Sequence, residues 1–483
     1  MGLRLFATVA GLMVAATLLL WPALYNHQPF FFPDTTAYVR GADAAVVKLT
    51  GMQSVWTQKT GSDAGDGVVP DKAVLAGRSI YYGALGYLGD RGGGEWLAII
   101  IQAGVLVLAL LGTLKAFDIA RFPYLLVLVA ALAAFTLLPL YVSFLMPDVF
   151  TGLTNLACGM LLTCDFGKSQ EHTIAWFALL ALSLTFHTTH ALLAFLMFGV
   201  GLVLYFCRRS LVVPRGLAAI GAALGVAYLC GTAFTLAVTK LAGEPPLTPP
   251  FLMARLIDDG PGYDYLRDTC PESGFLACRF VARLPLLSDD FLWSKDFATG
   301  VFGVSDPAVR RGLSREQFRF AWAVLRHEPF RQTVVSLRNA AEQVFLLKAT
   351  EFGYTPEERA TFVHKLPEAY LVVMRTTPAY TDRVPLVSLA AVSYLSSAIG
   401  VGFLVSFWVS GRLWRIRRPP QLAQLVRWVV FGVMANAAVC GVMSGPHDRY
   451  QARVAWLIPA IALIAHFQIH RECWERRLRW RLT

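Results

Sequence analysis

Long apolar runs separated by short polar turns fill most of this chain. The runs cover residues 5–24, 96–116, 124–144, 149–163, 174–186, 191–207, 216–238, 384–409, 428–443 and 454–467, about ten in all. A helix needs about 20 apolar residues to cross the hydrocarbon of a bilayer. The pattern therefore predicts an all-α polytopic membrane protein with about ten transmembrane helices. Two polar stretches interrupt it, a long first loop at 25–94 and a region at 240–383 that reads as mainly helical. The predicted organisation is a transmembrane module over 1–239, the 240–383 region, C-terminal transmembrane helices over 384–469 and a basic tail over 470–483.

Two runs carry details of their own. The run 174–186 is parted from 191–207 by His187-Thr188-Thr189-His190, and its 13 residues reach only about 20 Å as a helix. That is short of the hydrocarbon thickness, so the HTTH turn is expected to be recessed or to border a thinned, wet cavity. The first run follows a single arginine, holds Ala15 and Ala16 in its middle and closes on nothing resembling an A-x-A site. It reads as an uncleaved first span, not a signal peptide.

Composition agrees with the pattern. Hydrophobic residues make up 56% of the chain and charged residues 16%, where a soluble domain has about 25% charged, and the mean hydropathy is +0.52. The net charge of +11 does not point to nucleic acid, because the excess falls in short segments between apolar runs, where lysine and arginine set orientation. Lys115, Arg121, Lys168, Arg208, Arg209, Arg215, Arg412, Arg415, Arg417, Arg418 and the tail arginines 471, 476, 477, 479 and 481 fall on one side if the spans alternate. Both termini are then cytoplasmic. The Asp34 loop, the Asp148 turn, HTTH, the 240–383 region and the turn His447-Asp448-Arg449-Tyr450 share the outer face.

Of eight cysteines, only Cys270 and Cys278 fall in the outer region. In an oxidising compartment they are expected to pair in preference to standing as free thiols, and no CxxC or histidine pair accompanies them to make a zinc site. The glycine-rich run at 61–67 lacks the alternating ligands and closing glutamate of a calcium loop and reads as a linker. Asp258-Asp259-Gly260-Pro261-Gly262 reads as a turn, and Ser314 with Gln317 as a capping-box start for a helix that Pro329 interrupts. Beyond it Phe330, Val334, Leu337, Ala341, Val344 and Phe345 recur at helical spacing, predicting an amphipathic helix packed on the bundle or on the lipid surface. No GxGxxG, Walker A, HExxH or GxSxG motif is present.

The chemistry on offer is on the outer face. Asp34 lies in Pro33-Asp34-Thr35-Thr36-Ala37-Tyr38, just past the first run, and Asp148 in Met146-Pro147-Asp148, just past the third. Two carboxylates on separate loops beside a membrane suit abstraction of a hydroxyl proton, or capture of a divalent ion that does so indirectly. Arg78, His187, His190 and Arg449 suit a leaving lipid phosphate, whose developing charge fixed cations stabilise. Tyr38, Tyr82 and His447 are possible substrate contacts. Plainer roles stand beside these. Asp34 and Asp148 each occupy a place where a carboxylate caps a helix. The histidines can satisfy backbone groups at a broken helix. Arg449 and Arg453 can anchor the last span to headgroups or pair with Asp448, and the tyrosines can belong to an interfacial aromatic belt.

The layout resembles the GT-C superfamily of membrane glycosyltransferases, over residues 1 to about 240 as architecture. PDTTAY at 33–38 and MPD at 146–148 stand where that family has its two acidic motifs, and Gly77-Arg78-Ser79-Ile80-Tyr81-Tyr82 resembles the membrane-skirting helix that ends its first loop. The resemblance implies a GT-C-like fold and an inverting transfer of a sugar from a polyprenyl-phosphate donor to a glycan, lipid or protein acceptor. It also implies a periplasmic site on a bacterial inner membrane. Asp34 would be the catalytic base and Asp148 a second acid supporting it or a metal. Many members carry paired acids or D-x-D where this chain has a lone aspartate, which leaves open whether a divalent cation, magnesium or manganese, is held by Asp34 and Asp148. Two other classes share the gross features: a transporter or flippase of lipid-linked sugars, and a non-catalytic subunit of a surface-polysaccharide assembly system.

Overall fold

A computed structural model describes residues 2–56, 74–92, 94–165, 170–413 and 420–482. The linker at 61–67, Lys168, Arg415, Arg417 and Arg418 lie outside the described residues. The described chain is helical, with no strand, and its only extended pairings are isolated bridges.

Among the described residues, six helices are long and apolar enough to cross a membrane: Trp96–Ala116, Thr188–Cys207, Pro214–Ala242, Leu386–Val409, Pro420–Met443 and Asp448–Arg471. The protein is therefore a helical membrane protein. The other four expected runs are not among these six. Run 5–24 divides into Gly2–Leu19 and Trp21–Asn26, with Pro22 opening the second piece. Run 124–144 divides into Phe122–Phe135 and Leu138–Val142. There Pro139 lacks the N–H a continuing helix needs, and Thr136 adopts extended backbone while its hydroxyl donates to Leu132 O at 2.6 Å. Val149–Thr163 and Gln170–Phe186 hold 15 and 17 residues.

The short helix Val149–Thr163 is the hub of the bundle: every one of its residues is buried. Gln170–Phe186, Thr188–Cys207, Pro214–Ala242 and Pro420–Met443 pack around it. A helix that is apolar on all sides belongs in the middle of its neighbours, and Gly152 lets the Trp456 indole lie against its backbone, since a Cβ there would come within 2.8 Å of that ring. Asp148 stands at the N-terminus of this hub.

The 240–383 region splits in two. Residues between Leu247 and Val324 build a separate small core around Phe291 and Phe320, clasped by a Cys270–Cys278 disulfide. Farther along, Ala349, Phe352, Tyr354, Phe362 and Leu371 belong to the core of the bundle. The turn at Gly260, with φ +103°, joins Phe251–Asp258 to Pro261–Thr269 as expected. The Ser314 capping box does not form. The helix runs Pro307–His327, its cap is Asp306, which accepts from Ala308 N and Val309 N, and Ser314 lies mid-helix. Asp306 before Pro307 was the stronger start, because proline at the first helical position sacrifices no hydrogen bond.

Candidate active site

Two loops far apart in sequence are stitched together. Phe30 N donates to Ser143 O and Leu145 N donates to Phe30 O, both at 2.9 Å, so the stretch before Asp34 pairs in parallel with the stretch before Asp148. The Thr35 hydroxyl donates to Leu145 O at 3.0 Å and accepts from Phe32 N at 2.9 Å. Both acidic segments are held at one end of the bundle by these backbone bonds.

Asp34 and Asp148 each occupy the N-cap position of a helix, Thr35–Thr50 and Val149–Thr163, yet neither side chain makes a cap hydrogen bond. Each is paired with arginine instead. Asp34 Oδ2 meets an Arg78 guanidinium nitrogen at 2.6 Å, and the two side chains are 29% and 22% exposed. Asp148 is fully buried. Its Oδ1 accepts from Arg449 Nε at 2.9 Å and from Arg453 at 3.1 Å, and its Oδ2 accepts from Arg449 at 3.2 Å. Burial alone would push the Asp148 carboxyl up, but Arg449 and Arg453 outweigh it and hold the group well below the usual carboxylate range. The positive end of the hub helix favours the same charged form.

Arg453 belongs to this buried cluster, whereas the sequence places it at headgroups or on Asp448. Asp448 instead accepts from Lys348 N at 3.0 Å, and Arg453 is as deeply buried as Asp148. The spacing of Arg449 and Arg453, one helical turn apart, already put them on one face. Both lie beside aromatic rings: Arg449 is 4.4 Å from the Phe32 ring centroid and Arg453 is 5.2 Å from that of Tyr450. Three guanidinium groups thus pair with two carboxylates. Asp34 and Asp148 are both within electrostatic reach of Arg449.

Arg78 is placed by three elements. The segment before it pairs with a strap at 245–250 that holds Pro245, Pro246, Pro249 and Pro250, Ala76 N donating to Leu247 O at 2.8 Å and Leu247 N to Val74 O at 2.7 Å. Gly77 adopts φ +119°, a conformation that favours glycine, and the Ser79 hydroxyl donates to Thr185 O at 2.6 Å, beside the HTTH turn. Arg78 therefore sits where first loop, strap and the end of Gln170–Phe186 converge.

The histidines part ways. His190 is fully buried, with Nε2 2.9 Å from the Thr151 hydroxyl and Nδ1 2.8 Å from Ser183 O. Both ring nitrogens are committed, so the structure corrects its expected place as a phosphate ligand: it braces the hub helix against the broken helix. His187 caps Thr188–Cys207, accepting from Thr189 N at Nδ1 over 3.2 Å, which leaves Nε2 for a ligand. Tyr82 is also committed, donating to Gln102 Oε1 at 2.9 Å. Tyr38 packs edge-on against Tyr82 with centroids 5.4 Å apart, and its buried hydroxyl has no hydrogen-bond partner among the described residues. Burial pushes that phenol well above its ordinary value, so it stays protonated.

His447 is half-exposed and pairs through Nδ1 with the buried Glu351 at 3.1 Å. Burial pulls the imidazole down, but Glu351 outweighs it and raises His447 above its ordinary value. A group raised on folding stabilises the fold fully below its unfolded pKa, about 6.5, and loses that contribution as pH rises through the raised value. His447→Gln should therefore lower the melting temperature most in mildly acidic detergent solution, with the gap to wild type closing as the pH is raised. A gap that widens with pH would contradict the pair.

The donor set does not fit a divalent cation. Both Asp148 oxygens are on guanidinium nitrogens, Asp34 is on Arg78, and among the described residues no three His, Cys, Asp or Glu side chains converge. A cation held by Asp34 and Asp148 would have to displace arginine. No family model, curated protein or solved structure matches the chain.

Proposed function

We propose that the protein is a membrane glycosyltransferase of GT-C-like architecture. It moves a sugar from a polyprenyl-phosphate donor to a glycan, lipid or protein acceptor at the outer face of a bacterial inner membrane. The observation that carries this reading is the Asp34–Arg78 pair, partly open to solvent at the end of a membrane bundle, backed by a buried cluster with surplus positive charge.

In this reading Asp34 takes the proton of the acceptor hydroxyl while that oxygen attacks the anomeric carbon. The bond from that carbon to the phosphate oxygen breaks, and the electron pair leaves with the lipid phosphate. A single displacement inverts the anomeric centre. Arg78 is the cation that meets the phosphate, because it alone of the three arginines is exposed enough to do so. Arg449 and Arg453 supply field from behind, worth more in a site shielded from water. Asp148 is a positioning residue that keeps those two arginines charged and aimed. His187 Nε2 and the Tyr38 hydroxyl are donors for remaining phosphate or sugar oxygens. Orientation follows the positive-inside bias, which puts both termini in the cytoplasm.

Deletion of the gene tests the reading. One polyprenyl-phosphate sugar should accumulate and one surface glycan should lose the corresponding residue. Unchanged lipid-linked sugars together with an unchanged envelope would overturn it.

A further inference from the structure

The helix Pro329–Val344 is built inside out for a water-facing element. Its polar residues Gln332, Asn339 and Gln343 are the buried ones. Gln332 and Asn339 donate to Asp259 at 3.1 and 2.8 Å, and Gln343 donates to His447 O and accepts from His447 N, both at 2.8 Å. The apolar stripe faces the other way: Phe330, Leu337 and Phe345 are 81%, 65% and 70% exposed, with Val334 between them. A helix beside water turns its apolar side inward, and a contiguous exposed apolar patch marks an interaction surface.

What covers the stripe follows from what the helix is fastened to. It packs along the span Pro420–Met443, where a Cβ on Gly441 would come 2.6 Å from Asn339 O. At its other end the Tyr394 hydroxyl, from the span Leu386–Leu413, donates to Phe345 O at 2.7 Å. Those two spans expose Leu395, Ile399 and Met434 as lipid-facing side chains do, and the helix that carries the stripe is fastened to both. The preceding helix carries Trp322 with Arg326 4.8 Å from its ring centroid, a pairing of aromatic and cation suited to the headgroup level.

We propose that the stripe of Pro329–Val344 lies in the acyl-chain region of the leaflet nearest Asp34. The helix then anchors the Leu247–Val324 domain on that leaflet and fixes the mouth of the candidate site at the lipid boundary. This holds for any function of the protein, since it rests on the membrane bundle alone.

The test places p-benzoylphenylalanine at Leu337, and separately at the exposed His364, in full-length protein in nanodiscs of phosphatidylethanolamine and phosphatidylglycerol. After irradiation, mass spectrometry of the peptide carrying position 337 should show an acyl-chain adduct, with none at position 364. Hydroxyl-radical footprinting of the unsubstituted protein in the same discs should spare Phe330 and Phe345 while oxidising the exposed Phe297. No lipid adduct at 337, a crosslink there to a second copy or another polypeptide, or oxidation of Phe330 and Phe345 equal to that of Phe297 would overturn the proposal.

Discussion

Asp148→Asn is expected to destabilise the folded protein by about 3–5 kcal/mol, the loss seen when one partner of a buried ion pair is removed. Among the described residues the carboxylate is the sole anion bonded to both Arg449 and Arg453, and all three side chains are buried. Asparagine keeps the shape but leaves two guanidinium charges away from water without compensation. The melting temperature in detergent and the abundance in membranes should both fall. Adding Arg453→Met to Asp148→Asn should recover part of the loss, because it removes one of the stranded charges. The pH dependence has a definite sign. The Asp148 carboxyl is depressed on folding, so its contribution is complete above about pH 4 and is lost only as the pH falls through the depressed value. Wild-type stability at neutral pH in Asp148→Asn would mean that the triad is not buried as described.

Asp34→Asn should behave in the opposite way. Its partner is a partly exposed arginine, and pairs in contact with solvent contribute about 0–1 kcal/mol. The variant should insert and melt like wild type while sugar transfer falls by about 10²–10⁴-fold, the range for loss of a general base. Arg78→Ala should leave stability equally untouched and weaken binding of the lipid phosphate, with Arg78→Lys recovering part of it by restoring charge without the planar fork. Two aspartates in similar sequence settings, each at the start of a helix, thus separate by exposure, and the proposed reading gives substrate to the open one and the frame to the buried one.

Hydropathy made the membrane class legible, and six of the ten runs became helices long enough to cross. Of the others, the run 124–144 is divided around Pro139, a break present in the sequence. The Cys270–Cys278 pairing was legible from compartment and spacing. The site was legible as a set of residues on one face, not as contacts. Asp148 and Arg449 are 301 residues apart, and nothing in either segment names the other as partner. Nor does a polar residue at a broken helix say which of its atoms stay open: His187 keeps one nitrogen and His190 keeps none. The stripe from Phe330 to Phe345 shows the same limit in the helix Pro329–Val344. Periodicity says which residues share a face, but the choice of face belonged to Asp259, His447 and the neighbouring spans.

Asp34 is proposed to act on an acceptor beside a lipid phosphate held by Arg78. The measurement that bears on it most directly uses purified protein in nanodiscs with the radiolabelled lipid-linked sugar that accumulates on gene deletion, scored at once for bound lipid and for released polyprenyl phosphate. Wild type should bind and release; Asp34→Asn should bind the lipid as tightly and release none of it beyond background. Release by Asp34→Asn at the wild-type rate would contradict the account.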